Sequence, residues 1–173
     1  MFKRGQIWIE TVIYTLIAFV LIGAVLAFAM PKINEVQDKA IIEQSISLLK
    51  GIDNTVLEIV QGGSGNKRKI EIGIKKGELI LDGVNEEILF KMESASEYSE
   101  PGKEIPDGNI IIKTEKSGKD NLVILKRVYE DYNLTYNGKD EVKTITKAST
   151  SYNLFLSNKG KQNETWHIDA EIV

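Results

Sequence analysis

The spacing of apolar residues changes twice along this chain. Residues 11–31 are uncharged and almost wholly apolar. After them, apolar residues recur at near-helical spacing up to Val60, as in an amphipathic helix. Beyond Asn66 the spacing becomes two, as in Ile70, Ile72 and Ile74, which is typical of strands with one buried face. The pattern predicts an α+β fold, in which a long helix precedes a mainly antiparallel, sandwich-like β domain.

The predicted helix covers residues 6–61 and has two parts. Residues 11–31 would extend about 31 Å as a helix, which is enough to span a membrane, and residues 32–60 form an amphipathic part. Pro31 removes a backbone donor, so we expect the helix to bend there. The alternative is that the helix ends at this proline. Glycines at 62, 63 and 65 end the helix and predict a flexible linker over residues 62–68.

Alternating residues and turn signals predict at least seven short strands in the β domain over residues 69–173. The strands are expected at Ile70–Ile74, Leu79–Leu81, Ile88–Met92, Ile110–Thr114, Leu122–Tyr129, Leu134–Tyr136, Val142–Thr146, Tyr152–Leu156 and Trp166–Ile172. The first two are expected to form a hairpin through Lys75-Lys76-Gly77. Lys159-Gly160 is expected to be a turn. Such a strand number favours a sandwich or a curled sheet.

Composition restricts the chemistry that the chain can carry. Among its 173 residues there is no cysteine and a single histidine, His167. These counts exclude disulfides, thiolate metal sites and metal sites built on two histidines. A formal net charge of −3 argues against a general nucleic-acid binder. No nucleophile and base are suitably arranged, so we predict no enzyme, no cofactor and no metal site.

Charges at the ends of the apolar segment predict its orientation. Lys3 and Arg4 precede it, and basic residues stay on the cytoplasmic side of a membrane. The N-terminus is therefore expected in the cytoplasm and the β domain outside the cell. Two N-glycosylation sequons, at Asn133 and Asn163, fit an exported domain. Either sequon can also occur by chance.

The residues before the apolar segment carry a resemblance to a known family. Lys3 and Arg4 lead into Gly5-Gln6, and Glu10 stands at the edge of the apolar run. This arrangement resembles the class III signal of archaeal type IV pilin-like proteins. That signal has a short basic leader, a cleavage site before Gln, and a Glu at the fifth position of the mature chain. The resemblance covers residues 3–60 and does not extend to the β domain.

The resemblance implies a structural subunit of a type IV pilus-like filament with roles in adhesion or surface attachment. A prepilin peptidase would cleave between Gly5 and Gln6 and remove residues 1–5 as a leader. The subunit would lie in the membrane first and in an extracellular filament afterwards. Its partners would be other copies, through their N-terminal helices, and a pilus assembly platform with its ATPase. Glu10 would neutralise the terminal amine of a neighbouring copy.

Two other functions remain open for this chain. One is a minor pilin-like adhesin or binding module that does not polymerise. The other is an uncleaved single-span protein that carries a β domain. Glu10 has simpler explanations too, because a carboxylate is favoured near a helix N-terminus and costs little in the headgroup region of a membrane.

Three weaker candidates for chemistry lie in the β domain. His167 is expected on the exposed face of the last strand. A loop rich in acidic residues is more typical of a solvated loop than of a calcium site; its members are Glu93, Glu97, Glu100, Glu104 and Asp107. Four tyrosines would form either an adhesive surface or ordinary cross-strand pairs; they are Tyr129, Tyr132, Tyr136 and Tyr152.

Overall fold

The computed structural model describes the backbone of residues 3–173 and the side chains of residues 8–173. It contains one helix followed by ten strands. The chain divides into two compact units, Met1–Gln37 and Asp38–Val173. We call the second unit the head. The predicted α+β class, with a long N-terminal helix before two mainly antiparallel sheets, is confirmed.

Helix α1 runs from Lys3 to Gln61 without interruption. It passes through Pro31, so the alternative of a helix that ends at this proline is wrong. Because proline has no backbone N–H, the carbonyl four residues earlier has no helical donor, and a bend at this position stays a prediction. The helix ends where Gly63 adopts a positive φ of 84° and its N–H donates to the carbonyl of Val60 at 3.1 Å. A left-handed glycine is a common helix terminator.

The strands fall into a four-stranded and a six-stranded sheet. In chain order they are β1 (Lys67–Ile72), β2 (Glu78–Asp82), β3 (Glu87–Ser94), β4 (Glu104–Asp107), β5 (Ile110–Ser117), β6 (Asp120–Val128), β7 (Tyr132–Tyr136), β8 (Val142–Thr146), β9 (Tyr152–Gln162) and β10 (Thr165–Ile172). The smaller sheet has the order β1-β9-β10-β7, and the larger has β4-β5-β6-β3-β2-β8. All neighbouring strands are antiparallel except β7 and β10, which are parallel.

One apolar core joins both sheets to the part of α1 that belongs to the head. The helix contributes a stripe of buried residues at helical spacing, which consists of Ile42, Ile46, Leu49, Ile52, Val56 and Ile59. The four-stranded sheet adds Leu154, Leu156 and Ile168, and the six-stranded sheet adds Phe90 and Leu125. The predicted amphipathic helix therefore serves as the element on which the head packs.

The predicted hairpin between the first two strands is wrong. β1 pairs with β9, where Ile70 lies opposite Leu154, whereas β2 pairs with β3 and β8 in the other sheet. The connection between β1 and β2 crosses from one sheet to the other. Both strands alternate as expected, but alternation describes only a face and does not identify the neighbouring strand.

Two further predictions about the strands are wrong. Lys159-Gly160 is not a turn, because β9 continues to Gln162 and the turn before β10 is formed by Asn163 and Glu164, with φ of 48° and 70°. Gly160 instead lies where the register between β9 and β10 shifts, a bulge that glycine tolerates. The segment around Pro106, expected to be part of an acidic loop, forms strand β4. At the edge of a sheet a strand tolerates a missing N–H.

Asp82 organises the turn between β2 and β3. Its Oδ1 accepts the backbone N–H groups of Val84 at 2.9 Å and Asn85 at 3.0 Å, and its Oδ2 accepts the Asn85 amide at 2.9 Å. Burial disfavours the charged carboxylate, but these hydrogen bonds outweigh burial and hold the pKa of Asp82 below its ordinary value. The turn therefore depends on an ionised carboxylate.

The lowered pKa of Asp82 predicts a loss of stability in acid. An aspartate whose pKa is lower in the folded state stabilises that state above the unfolded pKa, which is about 3.9, and loses this contribution as the pH falls towards the folded pKa. We expect the melting temperature of Asp82→Asn to fall less between pH 5 and pH 2 than that of the wild type. Thermal unfolding followed by circular dichroism measures this difference. Equal slopes in the two proteins would contradict the assignment.

Candidate functional site

The first part of α1 presents its apolar side chains without cover. Every side chain from Trp8 to Phe28 is exposed, and Trp8, Phe19 and Phe28 are exposed by 76, 69 and 82%. Among the described residues, α1 is the one helix long and apolar enough to span a membrane. Contiguous apolar surfaces of this size mark contacts with lipid or with another protein. This uncovered segment, Trp8–Met30, is the main candidate functional site.

Glu10 lies near the start of this segment, one residue before the uncharged stretch begins. Its side chain is exposed, and among the residues with described side chains none forms an ion pair with it. A carboxylate that enters an apolar environment without a partner is costly. Gly5 and Gln6 lie outside the residues with described side chains, and cleavage between them stays a prediction.

The head contains a buried polar cluster that the sequence analysis did not find. Asp53 of α1 is 5% exposed, its Oδ1 accepts Arg127 Nε at 2.6 Å, and its Oδ2 accepts the Asn109 amide at 2.9 Å. The Arg127 guanidinium carbon also lies 4.5 Å from the ring centroid of Tyr129. This ion pair joins α1 to β6 of the larger sheet. A signal was present, because Asp53 follows Ile52 on the apolar side of the helix.

Tyr129 lies beside this cluster. It is 2% exposed, and its hydroxyl makes no hydrogen bond to any described residue. Burial, and secondarily the charge of Asp53, raises the pKa of Tyr129 well above its ordinary value. Its ring meets that of Tyr132 edge-on, with 6.0 Å between the centroids. Tyr129 is therefore a neutral core residue and not part of an adhesive surface.

A second buried carboxylate belongs to Asp38, where the head begins along α1. It is 5% exposed, and its Oδ1 lies 2.5 Å from Lys76 Nζ in the β1–β2 connection. Its Oδ2 accepts the backbone N–H of Ala95 at 2.8 Å, after β3. Asp38 and Asp53 thus connect one helix to several parts of the head through charged hydrogen bonds, which are stronger than neutral ones.

The acidic segment between β3 and β5 is partly ordered by lysines. Glu97 pairs with Lys116 at 3.0 Å, and Asp107 pairs with Lys50 at 2.7 Å. Glu93 lies in β3, and Glu104 and Asp107 lie in β4, so the expectation of a loop is wrong for these three residues. Among residues 8–173, no three acidic or histidine side chains are grouped so that they could hold a metal ion.

The remaining candidates of the β domain are placed as follows. Tyr136 is 9% exposed and belongs to the core, as Tyr129 does, so the four tyrosines do not share one surface. His167 is half-buried in β10 and not exposed as expected; it lies opposite Gly160 of β9 and Asn133 of β7. These positions favour packing over a binding function for the aromatic residues.

The two sequons differ sharply in their surroundings. Asn163 is exposed in the tight turn between β9 and β10. Asn133 is half-buried in β7, and its amide donates to Glu86 Oε1 at 3.0 Å. Thr135 of the same sequon donates to Asp169 Oδ1 at 2.9 Å. Of the two sequon asparagines, only Asn163 has a side-chain amide without a hydrogen bond to a described residue.

No protein-family model, no curated protein and no solved structure matches this chain. The features of this chain that point to a function are the uncovered segment, Glu10 and the residues before it. Together these features can hold the chain in a membrane and can pack against other apolar helices.

Proposed function

We propose that this chain is a structural subunit of a type IV pilus-like surface filament, processed by a prepilin peptidase and assembled through its N-terminal helix. The observation that carries the proposal is the uncovered apolar segment Trp8–Met30 with a single carboxylate, Glu10, at its start. Adhesion or surface attachment would be the role of the filament. The resemblance of residues 3–60 to archaeal type IV pilin-like proteins supports the same function.

The uncovered segment needs an apolar environment both before and after assembly. Burial of a large apolar side chain contributes about 1.5–3 kcal/mol relative to exposure in water, and the segment has many such side chains. A membrane supplies this environment to a single chain. In a filament, the same helices of neighbouring copies would supply it, so polymerisation removes the segment from lipid without exposing it to water.

The charges before the segment support a processed chain. Cleavage between Gly5 and Gln6 would remove Lys3 and Arg4 and change the formal net charge from −3 to −5. It would also create a new amine at Gln6, four residues before Glu10. Loss of the two basic residues weakens the cytoplasmic retention of this end, which favours extraction of the helix from the membrane.

The intact mass of the membrane-extracted protein tests the proposal. In cells with an active prepilin peptidase, we expect a mature chain that begins at Gln6. In the same cells without the peptidase, the chain should keep its leader, with or without the initiator Met1. An uncleaved chain in peptidase-positive cells would overturn the proposal and favour a plain single-span protein. Electron microscopy of sheared surface material then separates a major from a minor filament subunit.

Replacement of Glu10 by glutamine is expected to reduce incorporation into filaments on the order of tenfold or more, because an attraction to a terminal amine in an apolar environment is lost. Cleavage at Gln6 should be unaffected, since the peptidase site is unchanged. Glu35→Gln is the matched control, because Glu35 pairs with Lys32 at 2.7 Å on an exposed part of α1. Immunoblots of sheared filaments and of membranes measure the ratio. Equal incorporation of the two variants would contradict a role for Glu10.

Glycosylation of the head is expected at Asn163 and not at Asn133. A transferase must reach the side-chain amide, which is exposed at Asn163 and hydrogen-bonded to Glu86 at Asn133. In a host that glycosylates exported sequons, Asn163→Gln should abolish the glycan mass and Asn133→Gln should leave it. Glycopeptide mass spectrometry decides between the two. A glycan on Asn133 alone would show that modification precedes folding of β7.

A further inference from the structure

The two sheets of the head have four edges, and three of them are protected against further pairing. β1 carries three consecutive basic residues, Lys67–Lys69. β4 has only four residues and includes Pro106. At β7, the Glu86 carboxylate accepts both the N–H of Leu134 and the Asn133 amide. Charge, proline and covered N–H groups are the usual means of blocking an edge strand.

β8 is less protected, since it has no proline and none of its described N–H groups is covered by a side chain. It is the last strand of the six-stranded sheet, and four of its five residues are β-branched: Val142, Thr144, Ile145 and Thr146. Val142 is 53% exposed, and Thr144 and Thr146 are exposed. Lys143 does not shield the edge, because its ammonium lies 5.5 Å from the ring centroid of Tyr136. An unblocked strand of this kind is a template for another strand.

Hydrogen bonds show which backbone groups of β8 are free to pair. Gly83 N–H donates to the carbonyl of Glu141 at 3.2 Å. In the alternating antiparallel pattern, the odd-numbered residues of β8 therefore direct their backbone N–H and C=O groups towards β2. The even-numbered residues Val142, Thr144 and Thr146 then direct their backbone groups away from β2. The Tyr152 hydroxyl donates to the carbonyl of Thr146 at 3.1 Å, so the groups of β8 that remain free to pair are those of Val142 and Thr144 and the N–H of Thr146.

We propose that β8 pairs with β8 of a second copy of this chain, antiparallel and centred on Thr144. In this register Thr144 lies opposite Thr144 of the second copy, and Val142 lies opposite Thr146. Glu141 then lies opposite Lys147 at both ends of the ladder. Opposite charges and β-branched pairs stabilise antiparallel strands. Two six-stranded sheets would thus join into one continuous sheet.

Charge also selects this register over its neighbours. The free backbone groups allow only shifts that keep even-numbered residues opposite each other. One such shift brings Lys143 opposite Lys143 of the second copy, and the other brings Lys143 opposite Lys147. Like charges directly opposite each other destabilise a ladder. Among these three registers, only the centred one has opposite charges at its ends, and this complementarity favours a second copy as the partner.

The contact does not rest on the proposed filament. It relates two heads by a two-fold axis and can form between chains in a membrane, between heads of one assembly or between filaments. The test therefore measures only whether two heads associate. Its result does not depend on whether the chain is cleaved before Gln6.

A cross-linking experiment tests the contact, because the chain has no cysteine and each introduced cysteine is the only one. Thr144→Cys is made in the full chain, and membranes are treated with copper phenanthroline. Paired residues of this type lie about 5.5 Å apart between Cα atoms, a distance that a disulfide spans. We expect most of the protein to run as a dimer on a non-reducing gel.

Two matched variants control for register and for chance collision. In Thr146→Cys, the introduced sulfurs of the two copies would be offset by four residues along the paired strands, about 13 Å. This variant should yield little dimer. Ser117→Cys lies exposed at the end of β5 and measures collisions between heads. A dimer yield for Thr144→Cys equal to that of either variant would overturn the proposal.

The predicted Glu141–Lys147 contacts are tested in the Thr144→Cys background. Glu141→Lys or Lys147→Glu alone should reduce the dimer yield about fivefold, because both ends of the ladder become repulsive. The two changes together should restore it. Failure of the double variant to recover would overturn the centred register. All three residues are exposed, so the variants keep the core intact.

Discussion

Replacement of Arg127 by methionine is expected to lower the free energy of unfolding of the head by about 3–5 kcal/mol, because it leaves a buried carboxylate without its countercharge. The side chains of Arg127 and Asp53 are exposed by only 17 and 7%. Asn109 remains as a partner of Asp53, but an amide supplies no charge. Since a domain is stable by about 5–15 kcal/mol, this loss is a large fraction of the total.

Chemical denaturation of the detergent-solubilised chain, followed by circular dichroism, measures the effect. A second variant, Asp53→Asn combined with Arg127→Met, should recover part of the loss, since it removes the buried charge as well. Lys103→Met is the control, because its pair with Glu100 is exposed by 65 and 63% and such pairs contribute about 0–1 kcal/mol. If Arg127→Met costs no more than Lys103→Met, the buried pair does not stabilise the head.

Replacement of Gly77 by alanine is the second change with a large expected effect. Gly77 has a φ of +84°, and a Cβ there would lie 2.5 Å from the carbonyl oxygen of Lys91 and 2.7 Å from Met92 Cβ. The backbone of β3 would have to move, and the positive φ adds strain. We expect a loss of about 3 kcal/mol or more from these two causes together.

Gly118→Ala separates the two causes. Gly118 also has a positive φ, of +63°, but no atom of the described residues lies within 4 Å of its Cβ position. It should cost only the conformational strain, about 1–2 kcal/mol. Both variants can be compared by denaturant midpoint in the same detergent. A cost at Gly77 equal to that at Gly118 would show that β3 yields to the new methyl group.

The predicted hairpin shows where local patterns stop being informative. Ile70, Ile72 and Ile74 alternate as a strand should, and Gly77 follows as a turn residue. Nothing in this segment reveals that Ile70 lies opposite Leu154, because strand pairing depends on residues far away in the chain. Most strand positions could therefore be predicted, but the pairing of β1 could not.

The polar clusters of the head show the same limit. Asp53 and Arg127 are 74 positions apart, and only the packing of α1 on the larger sheet brings them together. The two sequons also differ through distant contacts, because Glu86, between β2 and β3, lies against Asn133 of β7, whereas Asn163 lies in an exposed turn. A motif identifies a side chain but does not describe its neighbours.

By itself, the sequence determined the long helix, the uncharged apolar segment within it, Glu10 at the start of that segment and the change to a β domain. These features follow from composition and short-range periodicity, which act within a few residues. Only the tertiary structure decided the order of the strands, the buried partners of Asp38 and Asp53, and the unprotected edge at β8. Those features depend on contacts between distant segments, which form only when the apolar faces of the helix and both sheets are buried together.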